Sequence, residues 1–159
     1  MIASDFKKSF EEGISIEDEF INLRGDKFIR KSTRQEDMKE HWDVLDSELG
    51  RIDIKAPKRV YRGGPIDYSI HWWEFKNVTG KDGWGMPSGV DRLIAFRIID
   101  GFILVDPTII TPILQERCTQ HYRGLWGLNT RKGRSDLAAL IPIEFLAEHV
   151  QDESHVLII

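Results

Sequence analysis

Two four-residue stretches, Ile52-Asp53-Ile54-Lys55 and Trp73-Glu74-Phe75-Lys76, alternate apolar and charged side chains. Such alternation marks a half-buried strand, in which side chains two apart share a face. Asp53 and Lys55 therefore share one face and Ile52 and Ile54 the other. Glu74 and Lys76 likewise oppose Trp73 and Phe75. The second stretch lies in Tyr68–Val78, whose aromatic and β-branched residues give the strongest strand signal in the chain.

Around these strands the spacing predicts a helix over residues 4–24, with Phe6, Phe10, Gly13, Glu17, Phe20 and Ile21 on one face. Ser4 and Asp5 suit its start and Gly25 its stop. A short strand at Lys27–Lys31 and a polar loop follow. Strands are expected at His41–Asp46 and Arg51–Ala56, then at Tyr68–Val78, as three successive strands joined by hairpin-like links. Gly80–Gly89 is a glycine-rich loop without the spacing of a phosphate-binding loop. A short helix at Ser88–Phe96, a buried strand at Gly101–Val105 and a helix at Thr111–His121 come next. A basic turn-rich segment, a strand at Ala138–Ile141 and a helix at Pro142–His149 complete the chain. The order predicts an α/β (α+β) protein, a mixed sheet flanked by helices with C-terminal helical additions.

The chain has 159 residues, 41% hydrophobic and 30% charged, and a net charge of −4. That is enough apolar material for the core of one domain. No apolar run approaches the roughly 18 residues that span a bilayer, and MIASDFKKSFEEG lacks the apolar stretch of a secretory signal. The single Cys118 excludes an intramolecular disulfide framework and a cysteine-based zinc cluster, so a reducing cytoplasm is the expected location. Two segments are locally basic despite the acidic total: Arg51 to Arg62, with Lys58, Arg59 and Arg62, and Arg117 to Arg134, with Arg131, Lys132 and Arg134. Either can track nucleic-acid phosphates; the bland alternative is a solvated surface.

If the two alternating strands are neighbours, Asp53 and Glu74 converge with a lysine two residues beyond each. Two carboxylates and a main-chain carbonyl suit Mg²⁺. Such a metal polarises a phosphoryl oxygen and activates a water, while a lysine stabilises the charge that grows in the transition state. That is the chemistry of phosphodiester hydrolysis. The competing reading is an ordinary half-exposed strand face.

With these residues the chain resembles the PD-(D/E)xK nuclease superfamily, whose restriction-endonuclease-like core has the order αβββαβ. The resemblance extends over about residues 4–106 and over the string His41-Trp42-Asp43, Ile52-Asp53-Ile54-Lys55, Trp73-Glu74-Phe75-Lys76-Asn77 and Gly83-Trp84, which looks like small phage-encoded members. Residues 107–159 form an extension to a single domain. The resemblance implies Mg²⁺, with Mn²⁺ as substitute, held by Asp53, Glu74 and the Phe75 carbonyl, and Lys76 beside the attacking water. Ile52 stands where the family often has proline. The resemblance also implies an acid on the first helix. Glu11, Glu12, Glu17, Asp18 and Glu19 are available; Glu17 lies four after Gly13 and on the apolar stripe, so it is preferred, with Glu19 or a structural ion pair as alternatives.

A second register uses Asp43 as the strand acid and Asp53-Ile54-Lys55 as the motif. It leaves Trp73-Glu74-Phe75-Lys76 unexplained and ranks second. His41 is a secondary candidate for DNA contact, and His71 and His121 lack metal-site spacing. Trp73 reads as core and Trp84 as a substrate contact or loop anchor. The expected activity is a DNA nuclease, exonuclease-like or resolvase-like, with a homodimer in the latter case. The alternative is a non-catalytic DNA-binding or protein-interaction member of the same fold.

Overall fold

The computed structural model describes residues 16–59 and 61–159. The expected helical residues before 16, with Gly13, Glu11 and Glu12, lie outside them. Residues 16–24 are helical (α1). Then follow β1 (Phe28–Lys31), α2 (Arg34–Glu40), β2 (Val44–Asp46), β3 (Gly50–Lys55), β4 (Lys58–Arg59), β5 (Ile66–Asp67) and β6 (Ile70–Lys76). The rest comprises β7 (Leu93–Ile98), β8 (Gly101–Val105), α3 (Pro107–Arg117), β9 (Leu128–Asn129), β10 (Leu137–Pro142), α4 (Ile143–Glu148) and β11 (Val156–Ile158).

The protein is mixed α+β. Its larger sheet has the order β1-β2-β3-β7-β8-β11, with β3 and β7 parallel and the other pairs antiparallel. One face carries Val44, Ile52, Ala95, Phe102 and Leu104, which pack against Phe20 of α1. The helix is pinned there by Arg24 on Asp46 (2.6 Å) and by Glu19 on Arg97 (3.0 Å). The opposite face carries Ile94, Phe96, Ile103 and Val105. These pack with Trp73 and Phe75 of a second sheet, β6-β10-β9, and with α3 and α4. Strands β7 and β8 thus feed both cores, which is why their sequences are nearly continuous apolar runs.

Three expectations are corrected. First, β6 does not join β3. The β4–β5 hairpin carries the chain out of the large sheet, β6 pairs with β10, and β7 takes the free edge of β3. Second, no helix forms at Ser88–Phe96. Pro87 and Gly89 hold a loop, and the 3–4 spacing of Val90, Leu93 and Ile94 is the chance look of a strand buried on both faces. Third, the polar loop after β1 contains α2. Its start is a capping box, Thr33 Oγ1 accepting from Glu36 N and the Glu36 carboxylate accepting from Thr33 N. The strand expected from His41 begins at Val44, because His41 ends α2 in the left-handed region (φ 56°). The remaining expected elements fall within a few residues of their places, while β4 and β5 in the expected basic loop, β9 in the expected turn-rich segment and β11 are additions, so the C-terminal extension is part strand and not only helical.

Candidate active site on the β2–β3 strand pair

Strands β2 and β3 pair antiparallel, Leu45 opposite Arg51 and Val44 opposite Ile52. Asp43 stands just before β2, and its N donates to Ile52 O at 2.8 Å. Val44 and Asp43 thus both meet Ile52, the pairing is irregular at this point, and Asp43 lies within electrostatic reach of Asp53. Ile52 points toward α1, so by strand parity Asp53 and Lys55 point to the other face.

Asp53 is almost completely buried, 4% exposed. The Lys55 Nζ lies 3.1 Å from its Oδ1, and the Arg92 Nη1 lies 3.5 Å from its Oδ2. The Lys55 ammonium also sits 4.4 Å above the Trp84 ring, a cation–π contact that fixes its direction. Asp43 Oδ2 accepts from Ile54 N at 2.7 Å. Burial first, and then the negative charge of Asp53, push the Asp43 carboxyl up to about 7; Glu17 adds to the rise and the Ile54 N–H opposes it. Two carboxyl groups in such a position repel when both are ionised.

Arg92 is buried, and burial holds its guanidinium below its usual range. It donates to the carbonyls of Trp84 and Met86 and to Ser88 Oγ, so one side chain ties the 84–88 loop to Asp53. His41 feels Arg92, Asp53, Lys55 and Glu74; its ring is held below its ordinary value, by burial first and then by Arg92. Asp37 of α2 is shifted upward, by burial first and then by the charge of Asp53.

The other expected residues are distributed as follows. Glu17 lies 3.6 Å from Lys31 and within electrostatic reach of Asp43. Glu19, the rival helix acid, is taken by Arg97. Glu74 faces outward from the second sheet and accepts from Trp84 N at 3.3 Å. Its position is enforced by the glycine-rich loop: a Cβ on Gly83 would lie 2.6 Å from Glu74 Cγ, so only glycine fits. Lys76 is exposed and borders a different depression, with Phe75, Asp82 and Met86. The Phe75 carbonyl accepts from Gly83 N at 2.9 Å. The first register is thus divided between two sheets, whereas the second lies on one strand pair.

Lys58 borders a cavity with Lys55, Glu74 and Arg131. Arg59 donates to Gly64 O, Arg131 pairs with Asp136 at 2.7 Å, and Arg62, Lys132 and Arg134 are exposed. His71 is buried with its ring nitrogens 2.8 Å from Trp72 O and 3.1 Å from Ala56 O, a core position. His121 is exposed. Trp73 is core and Trp84 anchors its loop against Trp73 and Lys55.

Sequence reasoning missed Asp37 and Arg92. The Thr33-x-x-Glu36 capping box could have revealed the helix that presents Asp37. Arg92 carried no local signal, because only folding brings it to Asp53, 39 residues away.

Among the described residues, no group of three or more histidine, cysteine, aspartate or glutamate side chains is arranged to hold a metal ion. Asp43 and Asp53 remain a two-carboxylate oxygen donor set. That fits Mg²⁺, which commonly takes one or two protein carboxylates and keeps water in its other positions. No significant match was found among protein-family models, curated proteins or solved structures.

Proposed function

We propose that this protein is a Mg²⁺-dependent deoxyribonuclease with its chemistry centred on Asp43, Asp53 and Lys55, of the restriction-endonuclease-like fold. The observation that carries the reading is that Asp43, bonded to Ile52 O and Ile54 N on either side of Asp53, lies within electrostatic reach of that carboxylate, which Lys55 contacts. Two carboxylates within electrostatic reach of each other are destabilising when both are ionised unless something cationic relieves them. The element order supports the fold assignment: α1 and the antiparallel β1–β2–β3 precede β7, parallel to β3. The β4–β6 excursion stands where the family order has a helix.

Asp43 and Asp53 would hold the cation, which when bound supplies Lewis acidity toward a phosphoryl oxygen and a more acidic water. Lys55 presents its ammonium to the charge that develops on the phosphate. Arg92 positions Asp53, and Glu17 adds negative charge at the edge of the pair. Lys58, Arg131, Lys132 and Arg134 can contact the DNA backbone.

The pairing of Asp53 with both Lys55 and Arg92 favours a second reading, a non-catalytic DNA-binding protein in which the cluster is structural. The deciding experiment compares wild type with Asp43→Asn and Lys55→Met on linear duplex, single-stranded and four-way-junction DNA, with Mg²⁺ or chelator. Metal-dependent cleavage lost in both variants is the expected result. Absence of cleavage by folded, DNA-binding wild type would overturn the catalytic reading.

A further inference from the structure

A cavity of about 440 Å³ opens beside Lys55, bordered also by Lys58, Trp72, Glu74, Arg131 and Ala138. Its size falls in the roughly 300–1,000 Å³ range of small-ligand sites. The register of the second sheet explains its shape. Glu74 pairs with Ala138, and Ala138 with Asn129, so the three form one row across β6, β10 and β9. Residues paired across a sheet present their side chains on one face. The middle member has only a methyl group, which leaves a floor between a carboxylate on one side and an amide on the other. Trp72, two residues before Glu74, shares this face. Three cations line it, Lys55, Lys58 and Arg131, with Asp136, the ion-pair partner of Arg131, beside them.

A carboxylate, an amide, an aromatic side chain and cations match the parts of one nucleotide. Phosphate suits the cations, a base suits the tryptophan, and the base edge suits Glu74 and Asn129. The Glu74 carboxylate can only accept hydrogen bonds when ionised. Guanine offers two adjacent N–H groups on its pairing edge, which the two oxygens of a carboxylate can accept together. Thymine offers one N–H between two carbonyls, which a carboxylate repels.

We propose that this cavity seats one unstacked nucleotide of the DNA strand beside the cleaved phosphate, with guanine the preferred base. The proposal rests on the nuclease reading for the source of that nucleotide. Lys55 belongs to both sites and links them.

The test titrates the metal-free full chain with dGMP, dCMP, dAMP and dTMP, followed by tryptophan fluorescence. Binding of dGMP about tenfold tighter than dTMP is expected, in line with the discrimination of a good two-bond contact. Glu74→Gln erases the ranking while retaining binding, and Ala138→Leu, which fills the floor, loses all four nucleotides; circular dichroism checks that both are folded. With Mg²⁺, cuts in single-stranded oligonucleotides containing one guanine cluster next to it. Equal binding of the four nucleotides, no binding, unaltered binding by Ala138→Leu, or cuts indifferent to guanine would overturn the proposal. The two readings fail separately: metal-dependent cleavage without the guanine ranking removes only the cavity assignment. A guanine ranking without any cleavage removes the nuclease and, with it, the strand as source.

Discussion

Asp43 bonds to Ile52 O and Ile54 N, on either side of Asp53 in β3, and among the described residues only Asp53 of the two has cations in direct contact. The pair is therefore asymmetric. Asp53 is compensated by Lys55 and Arg92, while Asp43 has one backbone N–H and a carboxyl lifted to about 7.

That asymmetry makes Asp43 costly to the metal-free fold. Its folded value lies above its ordinary 3.8, so the folded state holds a proton that the unfolded chain has lost between about pH 3.8 and 7. Stability contributed by that proton is present at low pH and is lost as pH rises through this window. Asp43→Asn can still accept from Ile54 N and carries no charge. It should raise stability of the metal-free protein at pH 8, on the order of 4 kcal/mol, while lowering cleavage by about two orders of magnitude or more. Urea unfolding at pH 5 and pH 8, with a cleavage assay, checks both halves.

His71 gives the opposite slope. Burial holds its ring down to about 4, below the ordinary 6.5. Between those values the unfolded chain takes up a proton that the folded protein refuses, so stability is full above about 6.5 and declines as pH falls toward 4. The decline is about 3 kcal/mol. His71→Leu should show a distinctly shallower loss over the same range in parallel urea titrations.

Arg92 neutralises Asp53 and satisfies two loop carbonyls. Arg92→Met leaves a buried carboxylate with one fewer cation and those carbonyls without their donor. The expected cost is about 3–5 kcal/mol, read by chemical denaturation, with faster proteolysis within the 80–92 loop.

The two lysines separate the two registers. Lys55→Met should reduce cleavage by about a hundredfold or more without altering divalent-ion affinity by a comparable factor. Lys76→Ala, on an exposed end of β6, should stay within about twofold of wild type. Steady-state cleavage rates and calorimetric Mg²⁺ titration measure the two properties. The reverse ranking would return the chemistry to the β6 motif.

Strand parity at Ile52-Asp53-Ile54-Lys55 was legible in the sequence, because alternation is a local property and burial follows it: Ile52 is buried toward α1 and Asp53 and Lys55 lie opposite. The apolar run at Gly101–Val105 and the stop at Gly25 were legible for the same reason. Which strands become neighbours was not. Trp73-Glu74-Phe75-Lys76 has the alternation of a motif strand, yet its partner is β10, more than sixty residues downstream in the chain. The β7 residues have helix-like spacing, yet they lie in the centre of the large sheet. Local side-chain pattern determines which face of a strand is wet. The competition of β6 and β7 for the free edge of β3, settled by packing two cores at once, decided that Asp53 meets Asp43, Lys55 and Arg92 on one sheet while Glu74 stands on another.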